Sequence, residues 1–129
     1  MVKTILVVED APLNMKLIRE ILTYRGDTIF EATNGREGVD LAIEKKPDLI
    51  LMDIQMPVMD GMEAAQIIKA NPSTRHIPIV ALTGYAMDGD KKRMHEAGCD
   101  GYLSKPFKIK ELLLAIDVFF GYPHKPGHF

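Results

Sequence analysis

Five short apolar runs recur along the chain, and each gives way to polar residues. "TILVV" at 4–8 runs into Glu9 and Asp10, and "DLILM" at 48–52 into Asp53. "IPIVAL" at 77–82 runs into Thr83, and "GYL" at 101–103 into Ser104 and Lys105. "DTIFEA" at 27–32 is a weaker version of the same pattern. Their length and their Val, Ile and Leu content predict strands of a parallel sheet covered on both faces.

The intervening segments carry helical spacing. In 13–24, Leu13, Leu17 and Ile21 form one i, i+4 row, Ile18 and Leu22 form another, and Gly26 is the stop. In 35–45 the apolar positions are Val39, Ala42 and Ile43, with Asn34 as N-cap. In 61–70 they are Ala64, Ala65, Ile67 and Ile68, with Asp60 as cap. The stripe in 88–97 is thin, chiefly Met94 and Ala97 before Gly98. The strongest stripe is Ile109, Leu112, Leu113, Ile116 and Phe120 over 108–119. Strands alternating with helices predict a doubly wound α/β sheet with right-handed crossovers.

Composition narrows the class. At 129 residues the chain suits one compact domain, and 47% hydrophobic residues are enough for an ordinary core. Sixteen Lys and Arg against 18 Asp and Glu leave a net charge of −2, which argues against direct nucleic-acid binding. Cys99 is the single cysteine, so no internal disulfide can form, in keeping with a reducing cytoplasm. "MVKTILVVED" meets its acids too early for a signal peptide, and no apolar run approaches the ~18 residues that span a membrane. The expectation is a cytoplasmic domain over 1–121 and a flexible tail over 122–129, where "YPHKPGHF" is rich in Pro and Gly.

The residues that end the runs carry the candidate chemistry. In a doubly wound sheet, ligands bind beyond the carboxyl ends of the strands. Glu9, Asp10, Asp53, Thr83 and Lys105 therefore collect on one edge. Three close carboxylates repel, so either one holds a proton or a cation neutralises them. Oxygen donors without His or Cys favour Mg²⁺ (or Mn²⁺) over zinc. Lys105 offers a point charge to a phosphate, and Thr83 a hydroxyl. Asp53 is then a candidate nucleophile for phosphoryl transfer, with an aspartyl phosphate as product.

These motifs, "VVED", "MDIQMPVMDG", "ALTGYA" and "GYLSKPF", resemble those of response-regulator receiver domains over about residues 3 to 120. The resemblance implies a (βα)5 fold with strand order 2-1-3-4-5. It implies phosphorylation of Asp53 by a sensor histidine kinase or a histidine phosphotransfer protein. It further implies Mg²⁺ held by Glu9, Asp10, Asp53 and the Gln55 backbone carbonyl, Lys105 on the phosphoryl group, and a cis Lys105–Pro106 bond. Thr83 and Tyr102 would be the switch pair, and the fourth helix, fifth strand and fifth helix the output face. Gln55 and Tyr85 fall where the family tunes the lifetime of the phosphate. "EDAPLNMKLI", "PDLILMDIQMP" and "AMDGDKKRM" look most like stand-alone regulators of the DivK type, or the receivers of hybrid kinases. Such a chain would be a monomer or weak dimer and would catalyse only its own phosphorylation and slow dephosphorylation.

Plainer readings stand beside these. Glu9 and Asp10 can cap the first helix as well as bind metal. Thr83 can satisfy a backbone group at a strand end, and Tyr102 can be a half-buried aromatic with a wet hydroxyl. Met87 and Met94 are candidates for an adaptable partner surface, and "DKKRMHE" at 90–96 reads as a solvated helix face. Cys99 reads as inert, and His76, His95, His124 and His128 as surface residues. A phosphatase with an aspartyl-phosphate intermediate would need a second acid at position 55, where the chain has Gln55. A flavin module would need a phosphate-binding loop where the chain has "EDAPLN". A phosphate-independent adaptor would not need the full set of acids, Thr83 and Lys105.

Overall fold

A computed structural model describes residues 2–56, 58–84 and 88–121, with the backbone alone at 88–90. The expectations for Tyr85, Met87, His124, His128 and the tail over 122–129 lie outside the described residues. Five strands alternate with five helices: β1 (Thr4–Val8), α1 (Pro12–Arg25), β2 (Thr28–Ala32), α2 (Gly35–Lys45), β3 (Leu49–Asp53), α3 (Gly61–Ala70), β4 (Ile79–Thr83), α4 (Asp88–Glu96), β5 (Gly101–Ser104) and α5 (Ile109–Phe120). The strands pair in parallel in the order β2-β1-β3-β4-β5, the order the resemblance implies. Every residue of the central strand β3 is buried, which is why its sequence is a run without alternation.

Alternate residues along the strands feed two apolar layers. Leu6, Val8, Ile50, Met52, Ile79 and Ala81 pack with α2, α3 and Met94 of α4. Ile5, Val7, Leu49, Leu51, Val80 and Leu82 pack with α1 and α5. Register is fixed along the ladder, with Val8 opposite Met52 and Asp53 opposite Leu82. The acid at the end of β3 is thus set level with the ends of its neighbours.

Helix ends follow local chemistry. Asn34 accepts from the Glu37 amide and Asp60 from the Glu63 amide, each 2.9 Å, so both are the predicted N-caps. Gly26 takes φ 94, and its amide closes α1 onto Leu22 and Thr23 carbonyls. The capping expectation for Glu9 and Asp10 is corrected: Ala11 is the N-cap of α1, with no side-chain bond. Pro12 at the first helical position has no amide to cap, so one of the orphan donors is absent from the start.

Three other expectations change. Met15, Ile18, Ile21 and Leu22 are the buried face of α1, while Leu13 is 82% and Leu17 43% exposed. Met94, a position of the thin apolar stripe and a candidate for a partner surface, is buried in the core. Ile109, placed in the apolar stripe of the fifth helix, is 57% exposed in the first turn of α5.

Candidate functional site

Three acids meet where β1 and β3 end. A carboxylate oxygen from each of Glu9, Asp10 and Asp53 lies within 4.8 Å of the other two. Glu9 and Asp53 are buried, and Asp10 is exposed at the mouth. Glu9 is placed by its amide, which bonds the Ala32 carbonyl at 2.9 Å and continues the β1–β2 ladder. Asp53 ends β3, and its Oδ1 accepts from the Gln55 amide at 3.2 Å. Gly61 allows α3 to begin hard against this strand: a Cβ there would lie 2.2 Å from the Asp53 carbonyl oxygen.

Lys105 enters from the end of β5. Its amide donates to the Thr83 carbonyl at 2.7 Å, which ties it to the end of β4. The Lys105–Pro106 peptide is cis. The ammonium lies 2.8 Å from Glu9 Oε1 and 3.5 Å from Asp53 Oδ1. Lys105 is thus shared between two acids and sits closer to Glu9, a preference that strand-end placement alone does not reveal.

The charges are not balanced. Glu9 Oε2 is buried and, among the described residues, makes no hydrogen bond of ordinary geometry. The Asp53 carboxyl and the Asn14 amide are nonetheless close enough to act on the Glu9 proton. Burial works to raise the Glu9 pKa, but Asp53, Lys105 and Asn14 together hold it below its ordinary value. Asp53 goes the other way, pushed up to about 7 by burial first and then by Glu9. The Gln55 amide and Lys105 offset only part of that rise. Burial and the closeness of the two carboxyls thus favour a proton held by the pair toward neutrality.

This donor set fits a hard divalent cation. All three side chains offer oxygen, one buried oxygen lacks a partner, and two close carboxylates compete for a proton. Asn14 is the residue that sequence reasoning missed here. Its only signal was a polar side chain in the first turn of a helix that follows the acid pair.

The remaining predicted residues surround the cluster. Thr83 is buried at the end of β4. Gln55 is exposed beside Asp53. Tyr102 is 43% exposed on β5, with the Lys91 ammonium 5.1 Å from its ring centroid. It lines a groove of about 760 Å³ between α4 and α5, together with Met94, Gly101, Val118 and Phe119. Cys99 is buried, and burial pushes its thiol up to about 11, which leaves it an unreactive core residue. His76 and His95 are exposed, and among the described residues no helix is long and apolar enough to cross a membrane.

Comparison with known proteins agrees with this geometry. The model of the response regulator receiver domain matches residues 5–117. The chain is 42% identical over 121 residues to the polar-differentiation response regulator DivK of Brucella anthropi, covering 94% of this chain and 98% of that one. Its fold is similar to the receiver domain of a Pseudomonas aeruginosa sensor histidine kinase, solved with a magnesium ion coordinated in its active-site cleft. That likeness has TM-score 0.88 and 37% identity, over 95% of this chain and 100% of that one. It is also similar to the chemotaxis response regulator CheY4 of Vibrio cholerae, with TM-score 0.88 and 27% identity over 92% and 99% of the two chains. Five parallel strands in this order, an acid cluster at their carboxyl ends and a family match over nearly the whole length lead to one assignment: the chain belongs to the response regulator receiver domains of two-component systems.

Proposed function

We propose that the chain is a single-domain response regulator that accepts a phosphoryl group on Asp53 and passes the change to a protein partner. One observation carries this reading: a buried carboxylate at the end of the central strand faces two further acids and, at 3.5 Å, the ammonium of Lys105. The donor is a phosphohistidine, on a sensor histidine kinase or a histidine phosphotransfer protein. An oxygen of Asp53 attacks phosphorus, the P–N bond breaks, and its electron pair returns to the imidazole. Lys105 offsets charge on the transferred oxygens, and leaves Glu9 in part to do so. Asp53 must lose its proton before it can attack, so Glu9, Asp10 and the Gln55 carbonyl would hold the metal that replaces it. Mg²⁺ bound there would supply positive charge that offsets the charge of the phosphoryl oxygens.

Output runs through Thr83 and Tyr102. A phosphoryl group on Asp53 would draw the Thr83 hydroxyl, and Tyr102, half-exposed at the α4–α5 groove, would turn inward. The α4-β5-α5 face then differs between the two states and so does its affinity for a partner. Gln55 and Tyr85 would set how fast the phosphate is lost, and beyond its own slow dephosphorylation the chain turns over no substrate. A relay role uses the same chemistry with a second phosphotransfer protein as acceptor, and the likeness to a sensor-kinase receiver favours testing it.

Incubation with radiolabelled acetyl phosphate and Mg²⁺ tests the acceptor. Wild type takes up about one phosphoryl group, and Asp53→Asn takes up none. Full labelling of Asp53→Asn would sink the assignment.

A further inference from the structure

The amino-terminal edge of the sheet, across from Asp53, carries a cavity of its own. It encloses about 320 Å³ between the starts of the strands and the end of α5. Lys3 before β1, Lys46 at the end of α2 and His76 before β4 all line it. Asp48 is its single acid among the described residues.

The fold does not use up these cations. Among the described residues, neither Lys3 nor Lys46 has a carboxylate within ion-pair distance. Asp48 is engaged with the backbone, for its Oδ2 accepts from the Thr4 amide at 2.8 Å. Carbonyls at this edge are turned into the ladder: that of Lys3 accepts from the Thr28 amide at 2.8 Å, and that of Pro78 from the Ile50 amide at 2.9 Å. The cavity therefore gathers donors among few free acceptors, the reverse of the acid cluster at the other edge.

Two of the cations are held in place. The Lys3 ammonium lies 5.1 Å from the centroid of the Phe120 ring, within cation–π range. Lys46 closes α2 with φ 45, its amide on the Ala42 carbonyl at 3.0 Å. At that left-handed position glycine or asparagine sits with least strain. Packing does not reward the lysine, because Lys46 is exposed. Strain of this kind, enforced by the surroundings, clusters at functional sites.

We propose that this cavity is a binding site for a phosphate monoester. The three terminal oxygens of such a group can accept from two ammoniums and an imidazole N–H at once, whereas a carboxylate offers only two oxygens. Ligand clefts run from ~300 to 1,000 Å³, so this one suits a compact ligand. A free metabolite and a lipid headgroup present the same chemistry. Occupancy requires neither a phosphoryl group on Asp53 nor a divalent metal, so the site stands or falls apart from the reading of Asp53.

Glycerol phosphate is the first probe, titrated in chelator into the isotope-labelled chain and followed by amide NMR. The amides of Lys3, Lys46, Asp48 and Ile77 should shift and saturate, and sodium chloride at equal ionic strength should not reproduce this. Lys46→Gly removes a charge and relieves the backbone, while Lys3→Gln removes a charge alone. Each should weaken binding about tenfold. Lys16→Gln, on the exposed side of α1, should leave it unchanged. Vesicles carrying phosphatidic acid are the second probe. Cosedimentation that Lys46→Gly abolishes assigns the lipid source; saturable shifts without cosedimentation assign the soluble one. Absence of both kinds of binding overturns the site. So do shifts centred on Lys105, which would put the anion in the acid cleft, and binding that survives both Lys46→Gly and Lys3→Gln.

Discussion

Two groups of buried charge lie at opposite ends of the sheet, and they are arranged differently. At the amino-terminal edge, Arg25 sits at the end of α1 between two acids. Its Nε donates to Asp27 at 2.7 Å, and its Nη1 to Asp117 of α5. Each carboxylate has its own guanidinium N–H. Burial works against the cation, but the bonds to Asp117 and Asp27 raise its pKa overall. At the carboxyl-terminal edge, one ammonium serves Glu9 and Asp53, and a Glu9 oxygen has no hydrogen-bond partner among the described residues. The first group is paired and holds α1, the entry to β2 and α5 together. The second is left short of positive charge, and that shortage raises the Asp53 pKa.

The largest effect should come from breaking the paired end. Arg25→Leu leaves Asp27 and Asp117 largely buried without their guanidinium and also removes a cation 5.7 Å from the Phe120 ring. We expect a loss of about 3 kcal/mol in urea denaturation, in the range for breaking a buried pair. Acetyl phosphate labelling of whatever folds should be unchanged.

Relieving the unpaired end should act in the opposite direction. Folded, Asp53 keeps its proton up to about pH 7; unfolded, it loses it near 3.8. Between those values the native state binds more protons, so this contribution to stability falls as pH rises. Glu9 carries the opposite sign, because its carboxyl is held below 4.5; its contribution is present above that value and is lost as pH falls through the lowered one. Asp53→Asn removes the charge, so in chelator at pH 8 it should be more stable than wild type by about 2 kcal/mol. Its stability should also lose the decline between about pH 4 and 7 that wild type shows. Mg²⁺ should narrow the gap by stabilising wild type alone, and less so below pH 7, where the proton competes. A wild-type profile that rises over that range would refute the raised pKa of Asp53.

The smallest effect is expected at an exposed pair. Arg19 Nε lies 2.5 Å from Glu31, but their side chains are 47% and 36% exposed. Arg19→Gln should leave the denaturation midpoint unchanged, because solvent screens such a pair whatever its distance.

The chain made one of these ends far more legible than the other. Glu9, Asp10, Asp53, Thr83 and Lys105 each end a run of apolar residues, so a linear pattern pointed to the place where they meet. Asn34, Asp60 and Gly26 were legible for the same reason, since a cap acts within one turn of itself. Arg25 and Asp117 lie 92 residues apart and carry no local mark. Which row of α1 faces the sheet was equally hidden. Leu13–Leu17 and Ile18–Leu22 both repeat at i, i+4, and only the packing against β1 and β3 selects the second. The thin stripe of α4 left Met94 open to either core or partner surface, and one apolar side chain proves enough to seat that otherwise polar helix on the core.

Gly61 has a consequence for direction. The missing Cβ lets the backbone of α3 rest on the Asp53 carbonyl, and the Gly35–Met59 bond extends that contact to α2. On this side the site is mechanically stiff: Asp53 cannot shift without carrying two helices with it. The rigidity of the acid is thus built from absent side chains: a Cβ at Gly61 or at Gly35 would drive these elements apart.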